Sequence, residues 1–159
     1  MNNKNIEDFF RDSGLSDSVE KIERYPNVIW VFSCGLHQMM IQTQENANRM
    51  RIVAFIAHEA DLDQAELYKL MEANYHSALD ARYALTDGQL VSLFLHPFEE
   101  LTATQFVLGL FQTITCAKTF GTSYSGGTMI FSAHNHGSDA NAFENTTQDI
   151  LQEVVNSIR

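Results

Sequence analysis

The spacing of hydrophobic positions changes several times along the chain, and each change marks an element. Ile6, Phe9, Phe10 and, past Gly14, Val19 and Ile22 recur at near-helical spacing with charged residues between them. This predicts one amphipathic helix over residues 5–23, with Gly14 as a point of interruption. Pro26 stops it. Val28-Ile29-Trp30-Val31-Phe32 is β-branched and aromatic, and Ser33-Cys34-Gly35 reads as the turn of a hairpin whose return strand runs from Leu36 to Thr43. Gln44 to Asn48 is a polar connection. Arg49 to Ala57 then carries a third strand with Met50, Ile52, Ala54 and Ile56 on one face, completing an antiparallel meander.

Asp63 followed three residues later by Glu66 has the form of a capping box, and Leu67, Leu70, Met71 and Asn74 fall on one face of the helix behind it. Ala81 to Leu85 and Leu90 to Leu95 flank Thr86-Asp87-Gly88-Gln89, where Asp-Gly supplies the positive φ angles of a tight hairpin. Pro97 ends the second of these strands. Thr102 and Gln105 form another capping box ahead of Phe106, Val107, Leu110, Phe111, Ile114 and Ala117, a wide apolar helix face that Gly121 closes. The segment from Thr122 to Asn141 is polar apart from Met129 to Phe131. From Asn145 or Thr146 onward Ile150, Leu151, Val154, Val155 and Ile158 return to helical spacing.

The pattern predicts an α+β protein: an antiparallel sheet of about five strands with helices packed on it, in the order α-β-β-β-α-β-β-α, plus a C-terminal helical extension. A chain of 159 residues fits one domain. Within it residues 5–120 form the core, 121–144 a loop-rich connection and 145–159 the last helix. A net charge of −10 opposes nucleic acid and anionic membrane surfaces. The apolar runs are strand length, far below the roughly 20 residues that span a bilayer. The N-terminus lacks the apolar core of a signal peptide, which points to the cytoplasm. Cys34 and Cys116, far apart and each in or beside a hydrophobic segment, read as buried free thiols.

The order of elements over roughly residues 5–120 resembles the type III secretion chaperone-like fold. The stretch from Asn48-Arg49-Met50-Arg51-Ile52 through Leu70-Met71-Glu72-Ala73-Asn74 and Ala81-Arg82-Tyr83-Ala84-Leu85-Thr86-Asp87-Gly88 to Leu101-Thr102 is similar to the YbjN-like relatives of those chaperones. The resemblance implies a non-enzymatic cytoplasmic protein, commonly a homodimer, that holds a protein partner or client along apolar surface. The tail beyond Thr122 departs from the secretion-chaperone pattern.

Candidate chemistry is sparse. His134 and His136 form an H-x-H pair whose imidazoles share one side of an extended chain, and Asp139 adds an oxygen donor. This suggests a metal-binding sensor or metalloenzyme as the alternative function. The polar, Gly- and Asn-containing context reads as a solvated loop that lacks a third protein ligand and a rigid outer shell. The sequence therefore assigns no metal, cofactor or catalytic residue. The run Gly121-Thr122-Ser123-Tyr124-Ser125-Gly126-Gly127 lacks the Gly-Lys-Ser/Thr of a phosphate loop and follows a helix, so it reads as a helix-terminating loop. The acids of Glu99-Glu100 and of Asp61 and Asp63 stand at helix starts, where the positive dipole end stabilises them.

One feature calls for a partner. Val28 to Phe32 and Leu90 to Leu95 are apolar on both alternating faces, whereas an antiparallel sheet needs only one such face for its core. With helices covering one side, Ile29, Val31, Met39, Ile41, Val53 and Phe55 are the candidate partner-binding residues, available to the C-terminal helix, a second subunit or a client.

Overall fold

Helix α1 (Asn3–Asp12) begins at a reciprocal cap: the Asn5 amide donates to the Asn2 side chain at 3.0 Å, and the Asn2 amide donates to the Asn5 side chain at 2.9 Å. The computed structural model that shows this describes residues 1–122 and 140–158. Gly14, at φ +67°, turns the chain out of the helix. The predicted continuation of the helix to residue 23 is overturned: Val19–Arg24 form strand β1, paired antiparallel with β2 (Asn27–Cys34) from Val19↔Phe32 to Arg24↔Asn27. Val19 and Ile22 share a face at helical spacing, but in a strand they fall on opposite faces. Both are half-buried there, and a free edge on β2 outweighs a short charged helix.

Strands β3 (His37–Gln44) and β4 (Arg49–His58) continue the meander, joined by a polar turn in which Asn48 takes φ +49°. Helix α2 (Gln64–His76) starts at the predicted Asp63–Glu66 capping box. It leads to β5 (Arg82–Thr86) and β6 (Gln89–His96), whose hairpin turns on Asp87 and Gly88 at φ +49° and +75°. Helix α3 (Ala103–Thr119) starts at the Thr102–Gln105 box, and Gly121 follows its end at φ +75°. Helix α4 (Ala140–Ile158) begins ahead of the Asn145 at which its hydrophobic period becomes visible.

The α+β architecture is thus as expected, with a sixth strand supplied by β1. The sheet order is β1-β2-β3-β4-β6-β5, antiparallel throughout, so β6 inserts between β4 and the edge strand β5. All four helices among the described residues pack on one face. Ile6 and Phe10 of α1, Phe106, Leu110 and Ile114 of α3, and Val154, Val155 and Ile158 of α4 share one cluster with Trp30, Phe32, Met39, Ile41, Met50, Ile52 and Phe94 of the sheet. Leu70 and Ala73 of α2 meet Tyr83 and Leu90 in a second cluster near β5. Burying a side chain such as Leu110 or Ile41 contributes about 1.5–3 kcal/mol.

Buried polar groups on this side are matched. The Ser92 hydroxyl donates to the Thr113 carbonyl at 2.7 Å, and the Tyr83 hydroxyl donates to the Cys116 carbonyl at 2.8 Å. The Gln112 side-chain oxygen accepts from the Asp80 and Ala81 amides at 3.0 and 3.2 Å, holding the α2–β5 connection against α3.

Candidate functional site

The hairpin register decides which strand residues face away from the helices. β2 and β3 are joined by the two-residue turn Gly35-Leu36, with Gly35 at φ +59°, so Cys34 pairs with His37, Phe32 with Met39 and Trp30 with Ile41. Residues directly opposite in an antiparallel pair share a face. Met39 and Ile41 therefore lie beneath the helices with no exposed surface, and their placement beside Ile29 and Val31 is corrected. The expected turn at Ser33-Cys34-Gly35 would pair Ile29 with Met39, whereas the observed turn pairs Phe32 with Met39, and a register change by an odd number of residues moves every side chain of the return strand to the other face.

The remaining four candidates, Ile29, Val31, Val53 and Phe55, do share the outward face, joined by residues the sequence pattern did not single out. One row crosses the sheet as Val31↔Met40↔Val53↔Leu93, bounded by Glu20 on β1 and Arg82 on β5. A neighbouring row is Phe55↔Val91↔Ala84, and on the other side Ile22↔Ile29 continues into Gln42↔Arg51↔Leu95. Val53 and Val91, at the centre, are only 4% and 2% exposed and belong to neither core cluster, while Leu95 is 54% exposed. Among the described residues no helix packs on this face. Helix α4, one of the three covers considered, packs against α3 and β2 and buries Val154, Val155 and Ile158 in the core on the helix side. At about 4.8 Å per strand, the apolar row from Val31 to Leu93 spans roughly 14 Å.

One end of this face is basic. Arg24 ends β1, Arg49 starts β4, and Arg51 stands one place along the same face from Arg49. The Arg51 guanidinium donates through Nε and Nη2 to the Gln42 side-chain oxygen at 2.8 and 2.5 Å, and the Gln42 amide nitrogen donates to Asn27 Oδ1 at 2.9 Å. This polar ladder fixes the guanidinium beside a shallow hollow of about 250 Å³ lined by Asn27, Gln42, Arg49, Arg51 and Leu95. Arg82 folds back to the carbonyls of Leu79 and Ala81. Among the described residues none of these four arginines makes an ion pair.

The acids and bases that do pair lie on the helix side. Asp8 is held below the usual carboxylate range by hydrogen bonds from Lys4 and then Arg11, with salt bridges of 2.7 and 2.6 Å. Lys21 is raised by Glu23 and then Glu7, the latter at 2.7 Å. Burial pushes the Cys34 thiol up, against a smaller opposing effect of Lys118.

Other features were weaker. Tyr68, Met71 and Tyr75 form an exposed stripe on α2, 66%, 69% and 80% accessible. A groove of about 630 Å³ between α1, α3 and α4 has Phe9, Phe106, Val107 and Leu151 in its floor and Asp8 and Asp12 at its rim. A polar cleft of about 740 Å³ lies where Ser33 and Gly35 meet Lys118 and the α4 residues Asp149 and Glu153. No three side chains of His, Cys, Asp and Glu converge among the described residues. His134, His136 and Asp139, like Tyr124 and the Met129–Phe131 run, lie outside the described residues. No helix among the described residues is long and apolar enough to cross a membrane.

No family model matches the chain, and no curated protein matches it. Among solved structures, it is similar to a chain of the "Crystal Structure of the ExsC-ExsE Complex", with a TM-score of 0.49 and 14% identity, covering 82% of this chain and 95% of that one. A likeness of that degree carries no argument about family or partner.

Proposed function

We propose that this chain is a non-enzymatic binding module that docks a segment of another protein on the sheet face opposite its helices. The observation that supports this is the apolar lane through Val31, Met40, Val53 and Leu93, which the described helices leave open because all four pack on the other side. A sheet that stood alone would keep one greasy face and solvate the other. The test is site-specific photo-crosslinking in cells, with the reactive residue at Ile29 or Leu93 and a control at Glu72 on α2. A discrete heteromeric adduct from the sheet positions and none from the control is expected. Absence of adducts at both sheet positions refutes the reading, and adducts containing only this chain reassign the face to self-association.

A second reading, homodimer formation, is favoured by the α2 stripe. Tyr68, Met71 and Tyr75 recur at i, i+3 and i+7 on a helix that packs on β5, whose outer edge has no strand partner among the described residues. Light scattering on a sizing column across a dilution series tests it. A dimer that becomes a monomer on Met71→Glu supports contact through α2, and a wild-type monomer at every concentration rejects it.

A further inference from the structure

We infer that the occupant of the open sheet face is an acidic amphipathic helix of a partner protein, with its apolar stripe along the Val31–Leu93 row and its carboxylates at Arg24, Arg49 and Arg51. The inference rests on the docking reading above and names the chemistry of the partner. Shape comes first. A sheet face is ordinarily covered by a helix presenting one apolar stripe, and a lane of roughly 14 Å matches about ten helical residues at 1.5 Å each.

Charge selects the partner. The chain carries 20 acids against 10 bases, a net −10. Yet the outward strand positions hold Arg24, Arg49, Arg51 and Arg82 against the single acid Glu20. The local sign is thus opposite to that of the whole protein. The nearest other acids, Glu45 and Glu100 by the β3–β4 turn, already accept from the Asn3 amide and the Asn48 side chain, and screening over about 8 Å at physiological salt lets a docked segment sense these arginines more than the acids of the helix side. Arg51 is also pre-positioned: Gln42 occupies two of its five N–H donors and leaves the others for a carboxylate. A second copy docked face to face would offer these arginines only Glu20 as an acid at an outward strand position. A polynucleotide would meet the arginines but be repelled by the rest of the surface.

The test uses the full chain and three labelled helical peptides of about 18 residues, long enough to overhang the lane at both ends. Each has leucines at i, i+3, i+4 and i+7, and the flanks are Glu, Gln or Lys. Fluorescence anisotropy is expected to show the Glu peptide binding about tenfold tighter than the Gln peptide and the Lys peptide weakest, with the preference shrinking as salt rises. The double variant Arg49→Glu, Arg51→Glu should reverse the order of Glu and Lys peptides, and Arg49→Gln, Arg51→Gln should abolish the preference if charge reversal impairs folding. Leu93→Asp should weaken all three. Equal binding of Glu and Gln peptides, lost on Leu93→Asp but indifferent to the arginines, overturns the inference and leaves the docking reading standing. Failure of every peptide to bind overturns both. Tighter binding of a single-stranded oligonucleotide than of the Glu peptide, with the same arginine dependence, also overturns the acidic-helix assignment.

Discussion

Replacing Gly109 with alanine should destabilise the fold although alanine is the better helix former. Gly109 is buried in α3 where the helix crosses β6, and a Cβ built there would stand 2.7, 2.8 and 3.0 Å from Cδ1, Cε1 and Cγ of Phe94. Carbon atoms in contact settle at about 3.5–4.0 Å, so the overlap is roughly 0.8 Å. The ring has little room to yield: Phe94 is 5% exposed, pairs with Ile52 across β4 and stacks on His96. Overpacking of this kind costs about 1–3 kcal/mol, and the gain from removing a helical glycine returns about 1 kcal/mol. Because the ring has little room to yield, the upper half of that range applies, about 2–3 kcal/mol, and the expected net loss is about 1–2 kcal/mol. Urea unfolding followed by fluorescence of Trp30, the sole tryptophan and a core residue, measures it directly. In the alanine background, Phe94→Leu should cost less than in the wild type, because it removes the atoms that collide. A Gly109→Ala protein as stable as the wild type, or more so, would falsify the proposed close packing of α3 on β6. Peptide binding should survive this substitution, since the collision is on the helix side.

Three further outcomes follow from the same geometry. Gln112→Leu should cost about 2 kcal/mol in the urea assay, because the Asp80 and Ala81 amides lose their shared acceptor at a part-buried junction; an unchanged midpoint would refute that role. Asp8 has a folded-state pKa below its unfolded value, so its contribution to stability is present above the unfolded pKa and lost as pH falls through the folded one. Asp8→Asn should therefore remove part of the acid dependence of the midpoint, in a salt-sensitive manner because the pair is exposed, and an identical pH profile would reject it. Finally, Cys34 and Cys116 are buried, and Cys34 is further kept as the neutral thiol by desolvation. A disulfide reagent near neutral pH should label neither in native protein and both in urea, and rapid native labelling of Cys34 would contradict its burial.

Much of the fold was legible because its signals are local. Asp63 with Glu66, Thr102 with Gln105, and Asp87-Gly88 each specify a cap or a turn through neighbouring backbone groups, and all three stand where the sequence puts them. Strand β1 was illegible for the complementary reason. Val19-Glu20-Lys21-Ile22-Glu23-Arg24 has no preference strong enough to decide its own state, and pairing with Val28 to Phe32 decides it. The start of α4 ahead of Asn145 is likewise unmarked by any apolar period.

The candidate site depends on a single parity. That the chain has more apolar strand faces than one core consumes is visible in Val28 to Phe32 and Leu90 to Leu95. Which residues make up the surplus face depends on whether the β2–β3 turn is centred on Cys34 or on Gly35-Leu36, and the choice of turn moves Met40 outward and Met39 inward. The same register carries Gln42 and Arg51 to the outward side and pairs them. Read linearly, Arg24, Arg49, Arg51 and Arg82 are isolated bases in an acidic chain and suggest no surface. Once β1 is a strand rather than a helix, and once the meander is in register, the first three come to one side of an apolar lane, in the rows next to it. Exposed apolar surface beside a basic cluster without ion pairs among the described residues is the kind of face that a partner of complementary charge would cover. The specificity of the site would then reside in the arginines and its affinity in Val31, Met40, Val53 and Leu93, so substitutions in the two groups should separate discrimination among partners from the strength with which any of them is held.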